Sequence, residues 1–160
     1  DSNKNNFNIQ IANDNSDGQI VVSGKLIDLD RFIEILKLKK IKNIKLPVSA
    51  PFHCELMNSA TKIMEEEINK IDFANGYNVL MSNVTADKIK ECSEMKNLLI
   101  KQIESRVRWR ESVINMINSG VNNFIEIGPG KVLSGLIKRI NREVKVQSIN
   151  SEEDIKNLSI

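Results

Sequence analysis

Histidine, cysteine and aromatic residues are scarce in this chain. One histidine, His53, and two cysteines, Cys54 and Cys92, occur among 160 residues, and aromatics make up 4%. The cysteines form no CxxC pair, and a single histidine leaves a zinc site short of ligands. Reduced thiols and no metal are therefore expected. No apolar run approaches the roughly 20 residues that a membrane-spanning helix needs. No leader of charged, apolar and small segments opens the chain either. The expectation is a cytoplasmic protein with no membrane partner. A dominant charge is missing too: 23 basic against 21 acidic residues leave a net charge of +2. That balance argues against nucleic-acid binding by bulk electrostatics. What is present is 41% hydrophobic residue, enough for one ordinary core. The chain opens Asp1-Ser-Asn-Lys-Asn-Asn, with no initiator methionine, and enters a strand-like pattern almost at once. A fragment is expected.

Residues 7–12 alternate apolar and polar, 13–18 hold the turn-forming run Asn-Asp-Asn-Ser-Asp-Gly, and 19–23 are again rich in β-formers. Leu29, Phe32, Ile33 and Leu36 recur at helical spacing, which predicts a helix over 29–38 with Asp28 as N-cap. A third strand is predicted at 44–48. Strand, strand, helix, strand is the latter part of a ferredoxin-like α+β unit, whose opening strand and helix would lie upstream of Asp1. Leu56, Ala60, Ile63, Met64 and Ile68 then mark one face of a helix over 55–70. Strands at 78–82, 123–127 and 144–148 alternate with helices at 95–104, 110–119, 131–140 and from 152. Such alternation predicts a parallel sheet. Gly120 reads as a helix C-terminal cap.

His53 follows Pro51 at the corner between a strand and a strong helix. In α/β enzymes ligands bind beyond the carboxyl ends of strands, so a histidine there can reach a substrate. On spacing alone, an incidental surface or half-buried histidine is the commoner reading. The surrounding residues reverse this. The stretch Leu46-Pro-Val-Ser-Ala-Pro-Phe-His-Cys-Glu-Leu-Met57 resembles the histidine motif of the malonyl-CoA:acyl carrier protein transacylases. Further similarity lies in Asn15-Ser-Asp-Gly-Gln-Ile-Val-Val-Ser-Gly24, Ser82-Asn-Val84, Val107-Arg-Trp109 and Phe124-Ile-Glu-Ile-Gly-Pro-Gly-Lys-Val-Leu133. The segments occur in family order and cover the chain from about Asn8.

The resemblance implies a serine on a Gly-His-Ser-x-Gly elbow that attacks malonyl-CoA and then passes malonyl to the thiol of an acyl carrier protein. No such elbow occurs in this sequence. By similarity His53 is the general base, and the backbone carbonyl of Gln102 orients its ring in place of a triad carboxylate. Spacing alone reads Gln102 equally as a polar position on an amphipathic helix. Phe52, before His53, is similar to the Phe-His ending that related domains use for malonyl, and its ring would exclude an α-methyl group by about 1 to 3 kcal/mol. A simply packed phenylalanine is the other reading. Asn13 and Gln19 fall where the family lines its substrate crevice, although 13–18 suits a polar turn in any protein. Gly128-Pro-Gly130-Lys131 lies between a strand and a helix and invites a phosphate-loop reading, but it lacks Walker spacing. Cys54 reads as a packed thiol.

Arg106 and Asp17 stand where relatives commonly carry proline. The family's malonyl-carboxylate arginine lies upstream near the serine, so Arg106, Arg108 and Arg110 are not assigned that task. The implied architecture is an α/β-hydrolase-like parallel-sheet core with a ferredoxin-like subdomain. Residues 1–48 would be the latter part of the subdomain, and 49–160 the C-terminal part of the core. The implied partners are malonyl-CoA, acyl carrier protein and the N-terminal half of the same enzyme. No cofactor is implied beyond the coenzyme A thioester as substrate. An acyltransferase domain of a polyketide or fatty acid synthase, or an inactive remnant that binds carrier protein, are the other readings.

Overall fold

The structure is a computed structural model that describes residues 7–74 and 78–158. Strands β1 (Ile9–Ser16) and β2 (Gln19–Gly24) pair as an antiparallel hairpin. Gly18 closes its turn at φ +73°, a left-handed angle that suits glycine. The register of β1 shifts between Ile11 and Asn13 and again between Asp14 and Ser16. Such bulges turn backbone groups away from the ladder. Here they let β1 meet the segment at Val107: the Asp14 N–H donates to the Val107 carbonyl at 2.9 Å, and the Val107 N–H donates to the Ala12 carbonyl at 2.8 Å.

Helix α1 (Leu26–Leu38) starts three residues earlier than its apolar spacing suggests, with Lys25 rather than Asp28 at the N-cap. Asp28 sits in the first turn, where a carboxylate is favoured by the helix dipole. It also accepts the Asn8 N–H at 3.2 Å. The strand predicted at 44–48 is not formed: Ile44 is 76% exposed, and the stretch pairs with no strand among the described residues. β-propensity cannot supply a ladder without a neighbour to complete it. The stretch is instead tied to α1, where Lys45 Nζ lies 2.7 Å from Asp30.

A single 3-10 turn at Glu55–Met57 leads into α2 (Asn58–Asn69). The strand expected at 78–82 contracts to β3 (Leu80–Met81), which pairs antiparallel with β4 (Lys88–Ile89). Helices α3 (Cys92–Lys101) and α4 (Trp109–Asn118) follow. β5 (Asn123–Ile127), α5 (Val132–Ile140), β6 (Lys145–Ile149) and α6 (Glu152–Lys156) complete the chain. β5 and β6 run parallel, joined through α5, and are the only parallel strand pair among the described residues. The parallel sheet read from the alternation is therefore confined to two strands, and the chain is a mixed α/β structure.

The core lies where α4 and α5 cover this parallel pair. Val113, Phe124, Ile137 and Val144 are buried together, with Trp109, Met116, Ile117, Ile140 and Val146 packed around them. α4 ends as its sequence suggests. Gly120 takes φ +95°, its N–H donates to Ile117, and the Val121 N–H donates to Met116. This is the paired reverse bond that closes helices at a glycine. The hairpin rests on α4 and α5, and α2 lies against α3, so the residues around His53 and Gln102 hang on one frame. Phe124→Ala is expected to lower the unfolding free energy by about 3 to 5 kcal/mol. Denaturant titration checks this, and a loss under 1 kcal/mol would contradict the packing described.

Candidate active site

The corner that carries His53 is built from short local bonds. Pro51 restricts the residue before it to extended geometry, and the Phe52 N–H closes back on the Ala50 carbonyl at 3.0 Å. Cys54 is buried, its thiol donating to the Pro51 carbonyl at 3.1 Å. That burial makes it a packing thiol. Between them His53 adopts φ +58°. A left-handed residue with a Cβ costs of order 1 to 2 kcal/mol, and such strain gathers where geometry serves function.

Facing it is the end of α3. This helix stops at Lys101 with Gln102 as its C-cap, three residues before the predicted end. Terminal carbonyls of a helix have no partner within it and carry the negative end of its dipole. The Gln102 carbonyl oxygen lies 2.9 Å from His53 Nδ1. A carbonyl only accepts, so Nδ1 bears the hydrogen, and in the neutral ring Nε2 is left with a free lone pair. A half-buried imidazole held in that tautomer can take a proton from a group placed before it. The Gln102 side chain turns the other way, its Oε1 lying 3.4 Å from Asn83 Nδ2.

His53 and Gln102 are thus brought together, with Phe52 beside them in the chain and 48% exposed. Among the described residues, no hydrogen bond links Asn13 or Gln19 to that pair. Asn13 sits in the β1 bulge opposite Val107. The Gln19 side-chain oxygen accepts from the Arg139 guanidinium. Asp17 and Arg106, where the resemblance leads one to expect proline, both carry ion pairs. Arg106 Nη2 lies 2.9 Å from Glu111, and Asp17 lies 2.6 Å from Arg110, which also holds the buried Asp14 at 2.9 Å. Arg108 binds Glu111 as well, and that hydrogen bond holds the Glu111 carboxyl below its ordinary range. All three arginines are therefore engaged by carboxylates of this chain.

The turn at Gly128-Pro-Gly130 has its own anion. Glu126, on β5, accepts the Leu133 N–H at 3.0 Å and the Ser134 N–H at 2.7 Å, so its carboxylate occupies the N-terminus of α5. Gly128 and Gly130 sit at φ +133° and +93°, and the Gly130 N–H donates to the Asn150 side chain at 2.6 Å. The phosphate-loop reading fails on this ground: the donors are already used. Among the described residues, no group of three or more His, Cys, Asp or Glu side chains could hold a metal ion, and no helix is long and apolar enough to cross a membrane. Sequence reading missed Gln10, Asn83 and Glu126. Asn83 lay within the Ser82-Asn-Val84 segment and Glu126 was an acidic residue next to the end of a strand before a glycine turn, whereas Gln10 left no trace.

No family model matches the chain. A search of curated proteins finds the malonyl CoA-acyl carrier protein transacylase of Bacillus subtilis strain 168, 43% identical over 148 residues, which are 92% of this chain and 47% of that protein. Among solved structures, malonyl CoA-acyl carrier protein transacylase from Clostridium perfringens superposes with a TM-score of 0.88 at 41% identity, over 93% of this chain and 47% of that one. A malonyl-transacylase in complex with a type II PKS acyl-carrier protein gives a TM-score of 0.88 at 30% identity, over 93% and 48%. Across the frame and the histidine corner the chain is thus similar to transacylases. Specifically, the chain is homologous to malonyl CoA-acyl carrier protein transacylases, and it spans about half the length of the relatives it matches. A match of that extent fits the reading of the chain as their C-terminal half.

The Ser134 hydroxyl, together with the N–H groups of Ser134, Leu133 and Val132, holds the Glu126 carboxyl below its ordinary value of 4.5. A carboxyl that binds its proton less readily when folded stabilises the fold above its unfolded value, and that contribution is lost as pH falls through the folded value. Glu126→Gln should therefore lower thermal stability at pH 7 and weaken its loss below pH 4.5. Thermal unfolding from pH 7 to 3 tests this, and equal acid slopes for both proteins would contradict it.

Proposed function

We propose that this chain is the histidine-bearing half of a malonyl-CoA:acyl carrier protein transacylase of fatty acid biosynthesis. The observation that carries the reading is the 2.9 Å approach of His53 Nδ1 to the Gln102 main-chain oxygen, in a chain homologous to such enzymes. In the proposed cycle His53 Nε2 takes the proton of a serine hydroxyl supplied by the remaining half. The serine oxygen attacks the malonyl thioester, and coenzyme A leaves with the proton returned by the imidazolium. The carrier-protein thiol then gives its proton to Nε2, its sulfur attacks the acyl-serine, and the serine oxygen recovers the proton. Every step is proton or acyl transfer, so the chemistry asks for no cofactor beyond the thioester substrate. Phe52, Asn13 and Gln19 would line the malonyl end of the crevice.

The remaining half is also a structural partner in this reading. Ile127 is 80% exposed at the end of β5, and Val132 and Leu133 lie open beside it. Apolar exposure on this scale marks an interface. The proposed whole is an α/β-hydrolase-like core in which further strands extend the β5–β6 pair, with a ferredoxin-like subdomain. Residues 1–48 belong to the subdomain and 49–160 to the core. A missing neighbour accounts for the unformed strand at 44–48. The two free thiols, Cys54 and Cys92, fit the reducing cytoplasm.

His53→Ala in the intact enzyme is expected to cut malonyl transfer by about 10²- to 10⁴-fold, the usual worth of a general base. Gln102→Ala should retain most activity, because the contact is through the main chain. Unchanged transfer in the histidine variant would reject the base, read as malonyl adduct by mass and as carrier-protein acylation. For the carrier protein, which is acidic, the exposed lysines near α1 offer steering. Lys37 and Lys45 are already paired with Glu34 and Asp30, so Lys40→Glu with Lys42→Glu is the informative change. It should raise the apparent KM for carrier protein severalfold at low salt while leaving that for malonyl-CoA alone. An unmoved carrier KM would remove this surface.

A further inference from the structure

The His53 corner and the Gln102 carbonyl lie on segments 49 residues apart in the chain, and one strand touches both. On the Gln102 side, β1 is bonded through Ala12 and Asp14 to Val107, five residues beyond Gln102. On the His53 side, the carboxamide oxygen of Gln10 accepts the Glu55 N–H at 2.9 Å. That bond falls two residues after His53, at the first residue of the 3-10 turn that opens toward α2. An N–H at the start of a helical segment has no partner within it. A side-chain acceptor fixes where that segment begins, and therefore the backbone that holds His53 at its left-handed angle.

We propose that Gln10 is a positioning residue for His53: by holding the Glu55 N–H it joins the histidine corner to the strand that also braces the Gln102 loop. The distance between ring and carbonyl is then set by β1, not by the flexibility of the corner. A ring released from this tether drifts from the carbonyl, loses its preference for the Nδ1–H tautomer and presents Nε2 less often as an acceptor. Gln10 itself touches no reacting atom. Its catalytic consequence rests on the transacylase reading above, while the effect on the ring does not.

The test compares Gln10→Met, which keeps length and removes the acceptor, with Gln10→Glu, which keeps an acceptor for the N–H. Both are made in the intact protein that contains this segment. For Gln10→Met, kcat for malonyl transfer should fall at least fivefold with the KM for malonyl-CoA within twofold of wild type and the melting temperature unchanged. Gln10→Glu should recover kcat to within threefold. The ¹⁵N imidazole spectrum, with the His53 signals assigned by their loss in His53→Ala, should show the Nδ1–H form in wild type and a mixed population in Gln10→Met. An unaltered spectrum and kcat in Gln10→Met would overturn the inference, as would a kcat loss that merely follows a lower melting temperature and is not recovered by Gln10→Glu. If wild type transfers no malonyl, the functional reading fails alone. The ring spectrum then still decides for or against Gln10.

Discussion

One hydrogen bond organises this molecule: an imidazole N–H given to a carbonyl at the end of a helix. Its strength lies in what the acceptor cannot do. A carboxylate in the same place would stabilise imidazolium by its charge, whereas a peptide carbonyl adds no net charge and fixes the tautomer by accepting alone. It is present because α3 stops at Lys101 and leaves the Gln102 oxygen without an intrahelical partner. Had the helix run one turn further, that oxygen would have faced an amide of the chain.

Several elements of the fold converge on those two atoms. The corner around His53 is bounded by Pro51 and the buried Cys54 thiol and tied to β1 through Gln10. The Gln102 loop is stiff because the Arg106, Arg108 and Glu111 cluster and the bridge to β1 fix the residues after it. At Asp17 and Arg106, where the resemblance leads one to expect a proline ring, ion pairs hold the chain instead. A ring stiffens a loop at every ionic strength. A partly exposed ion pair does so less as salt rises.

How far the sequence could be read depended on whether the information was local. The helices and the Gly120 cap follow from short-range spacing and form close to where expected, although Ile63 and Met64 on the predicted apolar face stay exposed and the turn expected at 13–18 narrows to Asp17-Gly18 because β1 runs on to Ser16. The strand predicted at 44–48 is not formed because a strand needs a second segment beside it, and none of the described residues pairs with this stretch. The parallel sheet is one pair, β5 and β6, among the described residues. At the site, His53 and Gln102 were legible through resemblance to a family, not through periodicity, which described Gln102 as one more polar helix residue. Gln10 was invisible. A single amide on a strand gives no hint that it reaches a backbone 45 positions away.

Glu126 shows how a fold can close a binding opportunity that its own geometry creates. A helix start beside a glycine turn would attract a free phosphate, yet here the attracting amides face a carboxylate delivered by the preceding strand. Because it is covalently attached, its effective concentration at those amides is of millimolar order or higher, and any dissolved anion must compete with it. A phosphate-bearing ligand is thereby turned away from the start of α5 by a charge that the chain itself supplies.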